Sequence, residues 1–138
     1  MTEAYTGGCA CGAIRYRIGA EPIGMNDCQC RQCQRESGTG HGSHLTFPRA
    51  AVEVTGKVTE WDAVGDGGTV KRRVFCPTCG APVYMTFPAM PDYFVVKAGS
   101  LDEPARYSPE LVSWHSAAQP WDRVDDALPA HDRMPPRP

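Results

Sequence analysis

The feature that most constrains this 138-residue chain is the arrangement of its seven cysteines in three short groups. These groups are Cys9-x-Cys11, Cys28-x-Cys30-x-x-Cys33 and Cys76-x-x-Cys79. Cysteines two or three residues apart can direct their sulfur atoms at one ion, and zinc is the ion that such thiolate sets usually hold. We therefore expect a fold in which distant segments of the chain meet around metal ions.

The N-terminus and the length of the apolar runs indicate the cellular compartment of the protein. The opening "MTEAYTGG" lacks a basic region followed by an apolar segment, so no signal peptide is predicted. The apolar runs are only a few residues long, whereas a membrane span needs about 20. We expect a cytoplasmic protein, in which cysteines serve as metal ligands rather than as disulfides.

Hydrophobic alternation and turn residues predict an all-β protein. The chain has 13 prolines and 14 glycines, which favour short strands and turns over long helices. Strands are predicted at 13–18, 51–54, 57–61, 69–75, 82–87, 93–99 and 111–115. Thr55-Gly56 predicts a hairpin between the second and third of these, and "GDGG" (65–68) predicts a turn. A short helix is expected from near Cys30 to Gly38.

Chain length and composition predict one domain over residues 1–124, followed by a loose tail. The segment 125–138 is polar and rich in proline, with nothing obvious to bury. The formal net charge of −2 and the pI near 6.0 argue against a nucleic-acid partner. The one basic run, "KRR" (71–73), lies in an alternating segment and is expected to be a solvated strand face.

The third cysteine group, in "FCPTCG" (75–80), has the spacing of a zinc knuckle. The same spacing occurs in redox dithiols, but these usually lie in a βαβ context that is missing here. Seven thiolates divide naturally into a closed set of four, Cys9, Cys11, Cys76 and Cys79, and an open set of three. The spacing leaves another partition open, in which Cys30 and Cys33 join the third group.

The second group, Cys28, Cys30 and Cys33, would leave one position of a tetrahedral zinc site free. Three thiolates and Zn²⁺ carry a net charge of −1, and zinc deprotonates a thiol that binds it. The group therefore suggests thiol chemistry more than hydrolysis, which usually employs histidine and carboxylate ligands. Two alternatives remain: His41 or His44 closes the site as Cys₃His, or the three thiols hold no metal.

Together the three groups and the sequences around them resemble the glutathione-dependent formaldehyde-activating (GFA) family, which includes the centromere protein V type of domain. The stretches that carry the resemblance are "GGCACGAIRY" (7–16), "CQCRQCQRESG" (28–38), "FCPTCGAPVY" (75–84), "VKAGSLDEP" (96–104) and "PELVSWHSAAQPW" (109–121). They occur in the family's order and cover most of residues 7–121.

The resemblance implies a β-tent, a fold of small twisted antiparallel sheets stapled by zinc. It implies a structural zinc at Cys9, Cys11, Cys76 and Cys79, and a catalytic zinc at Cys28, Cys30 and Cys33. It also implies a carbon–sulfur lyase, since the family's named activity joins glutathione and formaldehyde to S-hydroxymethylglutathione. The partner would then be a small thiol such as glutathione, and the cofactor two Zn²⁺ per chain.

Several positions depart from the family's usual residues. Gln29 stands where the family often has histidine, and Val112 stands where another histidine is common. Ala118 and Gln119 replace a lysine–alanine pair before Pro-Trp. If any of these side chains touches the thiol, the resemblance no longer supports glutathione as the particular substrate.

Candidate residues for substrate contact lie beside the second cysteine group. Arg31 and Arg35 could bind a carboxylate of the thiol, although an ordinary solvated helix face explains them as well. His41, His44 or water could protonate the alkoxide that forms when the thiol attacks an aldehyde. Trp114 and Trp121 are expected to be core anchors rather than substrate platforms.

A non-catalytic zinc-binding or scaffolding module is the competing interpretation. It is supported by the two metal sites and by the departures from the family's polar residues. Zinc storage or thiol sensing is a third, weaker option. The sequence makes no prediction of the oligomeric state.

Overall fold

The computed structural model describes residues 3–135. Within them the strands are β1 Tyr5–Gly8, β2 Arg15–Ile18, β3 Gly24–Cys28, β4 Gly42–Pro48, β5 Val52–Thr55, β6 Thr59–Val64, β7 Val70–Phe75, β8 Pro82–Thr86, β9 Tyr93–Lys97 and β10 Leu111–Ser113. The α-helix, α1, spans Arg31–Ser37, and short 3₁₀ turns lie at Arg49–Ala51, Ala98–Ser100, Pro104–Arg106 and His115–Ala117. The predicted all-β class is confirmed, and no helix among the described residues is long and apolar enough to cross a membrane.

The strands form two sheets. The smaller has the order β1-β2-β5, and the larger has the order β10-β3-β4-β9-β8-β7-β6. Neighbouring strands are antiparallel except for β10, which runs parallel to β3. The two sheets are small and antiparallel as expected, apart from this one parallel edge.

Strands with clear alternation were predicted correctly, whereas β1, β3 and β4 were not predicted. The sequence of β4, "GSHLTFP", begins with Gly-Ser and ends in proline, residues that are more typical of turns. Its neighbours β3 and β9 nevertheless pair with it along its whole length. β4 is therefore a strand because of its pairing with β3 and β9, which its local sequence does not indicate.

The predicted hairpin around Thr55-Gly56 is wrong. β5 pairs with β2 in the smaller sheet, whereas β6 pairs with β7 in the larger one. Gly56 has a φ of +106°, and a Cβ there would lie 2.1 Å from the carbonyl oxygen of Ala13. The glycine thus lets the chain pass close to a neighbouring backbone as it leaves one sheet for the other. The turn predicted at "GDGG" does form, between β6 and β7.

The larger sheet has a core face and a site face. The core face packs against the smaller sheet and includes Leu45, Phe47, Val74, Tyr84, Phe94 and Val96. Aromatic contacts support it, with Tyr5 edge-on to Phe47 at 5.1 Å between ring centroids. The site face carries the alternate residues of the same strands, and α1 lies over part of it. The candidate site is built on this second face.

The segment 125–138, predicted to be a loose tail, makes backbone contacts in its described part. The Val112 amide donates to the Pro129 carbonyl at 2.9 Å, and the His131 amide donates to the Val112 carbonyl at 2.8 Å. These bonds form because β10 is an edge strand with one side left unpaired by β3. Residues 136–138 lie outside the described part, and the division of the chain after residue 124 stays a prediction.

Candidate metal centres and active site

The first thiol cluster joins the loop after β1 to the loop between β7 and β8. The sulfur atoms of Cys9, Cys11, Cys76 and Cys79 all lie within 4.8 Å of one another. Cys11 Sγ is 3.6 Å from Cys9 Sγ and 3.7 Å from Cys76 Sγ. Four sulfurs at 2.3 Å around a tetrahedral zinc ion would be about 3.8 Å apart. The cluster therefore has the dimensions of a closed Cys₄ zinc site.

Backbone amides donate to the sulfurs of this cluster. The Ile14 amide donates to Cys9 Sγ at 3.2 Å, and the amides of Thr78 and Cys79 donate to Cys76 Sγ at 3.3 and 3.4 Å. The bond from Ile14, with smaller contributions from the neighbouring thiols, lowers the pKa of Cys9 to about 6. Such donors stabilise the thiolate form that metal binding requires.

The second thiol cluster lies where β3 meets α1. Cys28 ends the strand, Cys30 is the N-cap of the helix, and Cys33 lies on its first turn. Their sulfurs lie within 4.8 Å of one another, and the Cys33 amide donates to Cys30 Sγ at 3.2 Å. Hydrogen bonds from Cys28 and Cys33 hold the pKa of Cys30 far below its ordinary value. Three soft sulfur donors this close together fit zinc.

The cysteines therefore group as four and three, and not with Cys30 and Cys33 beside the third group. Among the described residues, the ligand atoms of the second cluster include no histidine. His41 instead bonds through Nδ1 to Asp122 at 2.9 Å. His44 Nε2 accepts from Lys97 Nζ at 3.1 Å. The arrangement favours an open three-thiolate site over a Cys₃His site.

A cavity of about 500 Å³ opens beside the second cluster on the site face. All three cysteines and His44 line it. Its other walls come from α1, the β6–β7 turn, strands β3, β4 and β7–β9, and the loops that follow β8 and β10. The first cluster has no part in this lining, and only Cys9 of its four cysteines borders another cleft. The two thiol clusters therefore differ: all the cysteines of the second one face a single space of ligand size.

A buried ion-pair network lies directly behind this cluster. The side chain of Glu36 on α1 is 2 % exposed and meets Lys71 Nζ at 2.6 Å. Lys97 also donates to Glu36, and Arg73 approaches it at 3.4 Å. Burial alone would raise the pKa of Glu36, but Lys97 and Lys71 hold it below its ordinary value. One carboxylate thus holds two lysines, of which Lys71 lines the same cavity as the three thiols.

The prediction that the "KRR" strand face is solvated is wrong for Lys71. Its side chain is 9 % exposed, and it lines the cavity. Burial would lower its pKa, but the charges of Cys33 and Glu36 raise it above the ordinary value. The reason is that Glu36 of α1 covers the face of β7 that carries Lys71 and Arg73. Arg72, on the opposite face, is 38 % exposed and agrees with the expectation. A positive charge therefore stands beside the thiolate group.

The network makes a stability prediction. We expect Glu36→Gln to lower the free energy of unfolding by about 3–5 kcal/mol, because it leaves buried ammonium groups without a counter-charge. Since the folded-state pKa of Glu36 is lowered, its contribution is present above about pH 4.5 and is lost as the pH falls through the folded value.

Urea unfolding at pH 7 and at pH 3.5 would measure this difference. The matched control is Glu103→Gln, an exposed carboxylate with no capping bond, which should change stability by less than about 0.5 kcal/mol. An equal loss in both variants, or a gap that widens in acid, would contradict the role given to Glu36.

Gln29, the main departure from the family's residues, is a buried bridge. It is 1 % exposed, its amide nitrogen donates to Asp122 at 3.0 Å, and its amide oxygen accepts from His115 Nδ1 at 2.8 Å. Gln29, Val112, Ala118 and Gln119 are all missing from the cavity lining. These departures therefore lie outside the space in which a substrate would bind.

The remaining candidate residues divide between the cavity and other places. Arg31 lines the cavity and donates to Gln34 Oε1 at 2.6 Å, whereas Arg35 is exposed and does not line it. His41 lines a separate cleft. The expected core role of the tryptophans is wrong: Trp121 is 61 % exposed, and Trp114 lines the cavity with its backbone in the left-handed region at φ +56°.

The sequence interpretation missed the lysine–glutamate network and the apolar cavity wall. Glu36 follows Cys33 by three residues, so both lie on one face of α1. Lys71 and Arg73 alternate with Arg72 on β7, so the first two share a face. Those spacings were available in the sequence, but the pairing that brings α1 over β7 was not.

Comparison with known proteins identifies the same family that the cysteine groups resemble. The family described as "Glutathione-dependent formaldehyde-activating enzyme" matches residues 4–117. A protein of Halomonas elongata, provisionally named a glutathione-dependent formaldehyde-activating enzyme, is 29 % identical over 111 residues. That alignment covers 77 % of this chain and 71 % of the relative.

A solved structure is similar in fold. It is the crystal structure of a Rhodobacter sphaeroides protein determined as a structural genomics target. It superposes with a TM-score of 0.54 at 21 % identity, over 70 % of this chain and 87 % of the other. At this identity the likeness shows a shared fold.

Proposed function

Because the chain belongs to the glutathione-dependent formaldehyde-activating family, we propose that it is a zinc-dependent carbon–sulfur lyase. Its substrates would be a small thiol of the glutathione type and an aldehyde such as formaldehyde, or the S-hydroxymethyl adduct of the two. One observation carries the proposal: all three cysteines of the second cluster line one cavity, whereas only Cys9 of the first cluster borders a cleft, and that cleft is a different one.

Two zinc ions would serve different purposes. Cys9, Cys11, Cys76 and Cys79 would hold one ion that links the two sheets. Cys28, Cys30 and Cys33 would hold the other, because three neighbouring thiolates are donors that suit zinc. An ion there would supply Lewis acidity, which lowers the pKa of a thiol and favours its thiolate.

The reaction needs no oxidant or reductant. The thiolate sulfur forms a bond to the carbonyl carbon, the electron pair of the C=O π bond moves to oxygen, and that oxygen takes up a proton. The reverse reaction breaks the C–S bond and returns the proton to the sulfur. The protein must therefore orient the thiol and place a proton donor near the oxygen.

His44 is the proposed donor toward this oxygen. Burial, and then Lys97 and Lys71, lower its pKa well below the ordinary value, so the ring is neutral near pH 7. Its Nε2 accepts from Lys97, which requires the proton of the neutral ring to be on Nδ1. Lys71 would supply positive charge near the developing alkoxide, held in place by Glu36. Arg31, on the cavity wall, would bind a carboxylate of the thiol.

Two measurements test the proposal. Native mass spectrometry is expected to show two zinc ions per chain. NMR exchange spectroscopy of glutathione and formaldehyde should show faster exchange when the protein is present. A single bound ion, with Cys28, Cys30 and Cys33 open to alkylation, would refute the catalytic site. Two bound ions without acceleration would favour the non-catalytic zinc-binding or scaffolding module.

The cavity and its buried charges favour the enzyme over that module. A module that only staples its fold with zinc has no need for a lysine held beside an open thiolate group. The cytoplasmic location expected from the sequence belongs to the same proposal, because a reducing compartment keeps these thiols available.

A further inference from the structure

Part of the cavity wall is apolar. Six side chains form it: Met85, Phe87, Met90, Val95, Trp114 and Met134. Val95 faces Met85 across the β8–β9 pair and Thr46 across the β4–β9 pair, so it lies in the sheet floor of the cavity. Methionine and aromatic side chains adapt their shape to apolar ligands.

The size of this space does not suit formaldehyde. A cavity of about 500 Å³ is on the scale of pockets that enclose drug-sized ligands. Formaldehyde has one carbon and no apolar surface to bury. If it were the aldehyde, the apolar wall would face water during the reaction and contribute nothing to binding.

The charges of the cavity do not suit the whole body of glutathione either. Glutathione carries two carboxylates, and the cationic side chains in the lining are Arg31 and Lys71. Lys71 is already bound to Glu36. Arg31 is exposed at the start of α1, so it can hold a carboxylate at the rim rather than inside the cavity.

We propose that the aldehyde partner of this chain carries an apolar chain or ring of roughly six to ten carbons, which occupies the wall formed by the six residues named above. The thiol's polar body stays at the rim near Arg31. The product is a hemithioacetal: its sulfur is joined to the former carbonyl carbon, whose oxygen has taken the thiol's proton. This inference rests on the proposed function and specifies the substrate of the same site.

The experiment uses the zinc-loaded protein with glutathione and a series of linear aldehydes. Butanal, hexanal and octanal have similar electrophilicity, so chain length is the variable. Burial of each methylene is expected to raise kcat/KM about fourfold until the cavity is full. Hexanal has two more methylenes than butanal and should therefore exceed it by about sixteenfold. A flat or falling series would overturn the inference.

Binding of an unreactive alcohol separates this inference from the proposed function. 1-Hexanol, observed by ligand NMR, is expected to bind about sixteenfold more tightly than 1-butanol. Accelerated formaldehyde exchange with no 1-hexanol binding would overturn the inference and leave the proposed function standing. 1-Hexanol binding with no acceleration for any aldehyde would overturn the proposed function and, with it, the aldehyde assignment.

Variants test whether the preference for longer aldehydes arises in the cavity. Val95→Phe, which fills the floor, should lower the preference for hexanal over butanal at least fivefold. If Val95→Phe does not fold, Met90→Trp takes its place as the test. Met90 lines the same cavity from the loop after β8, and the larger side chain should lower the same preference. Ile23→Phe adds similar bulk at an exposed position outside the cavity and should keep the wild-type preference. Loss of preference in Ile23→Phe alone would contradict the assignment.

Discussion

Replacing Cys79 by serine is expected to cost the chain its folded structure. The side chain is exposed, so the substitution removes little packing. Its sulfur, however, belongs to the cluster that connects the loop after β1 with the β7–β8 loop. A structural zinc site supplies on the order of 10 kcal/mol, which is comparable with the entire stability of a small domain. Circular dichroism and urea unfolding, with and without a chelator, would measure the loss.

The control for this prediction lies in the same knuckle. Thr78→Ser changes an exposed neighbour and keeps the amide that donates to Cys76. It should retain both zinc ions and unfold at the wild-type urea concentration. If Cys79→Ser also unfolds there, in one cooperative step, the first cluster does not hold the domain together.

Cys33→Ser is expected to remain folded and to lose catalysis. The serine hydroxyl fills nearly the same space, and burying it costs about 1–3 kcal/mol if it lacks a partner. The second cluster would then have two thiolates instead of three, and one of the two zinc ions should be missing from the native mass spectrum. We expect the thiol–aldehyde exchange to fall to the rate measured without protein, because the ion that would lower the pKa of the thiol is lost.

A second substitution on α1 distinguishes this effect from damage to the helix. Ser37→Ala removes an exposed hydroxyl at the end of the same helix and should keep both ions and full exchange activity. The contrast between Cys33→Ser and Cys79→Ser also tests the division of the thiols. If both variants unfold to the same extent, the two clusters are not separate structural and catalytic sites.

Local sequence was sufficient for features that depend on neighbouring residues. Helix α1 ends at Gly38, whose φ of +76° and bond to the Gln34 carbonyl form the expected left-handed cap. The alternation of "RYRI" placed Tyr16 and Ile18 in the core. The spacing of each cysteine group also put its sulfurs close together.

Features that depend on distant segments could not be predicted in this way. The alternation of "TVKRRVF" predicted a strand, but not that α1 would place Glu36 against Lys71. Gln29 appeared to be a departure at the active site, whereas its contacts are Asp122 and His115, 93 and 86 residues away. The cavity wall combines Met85 from β8 with Trp114 from the end of β10, residues with no common motif.

The sequence by itself determined the class of fold, the family, and the seven thiols from which any metal site must be built. It did so because spacing along the chain controls which sulfurs can meet, and alternation controls which side of a strand is apolar. Only the tertiary structure decided which thiol cluster lines the cavity of the site face with all of its cysteines. That distinction arises from strand pairing across the larger sheet, where residues far apart in the chain share one face.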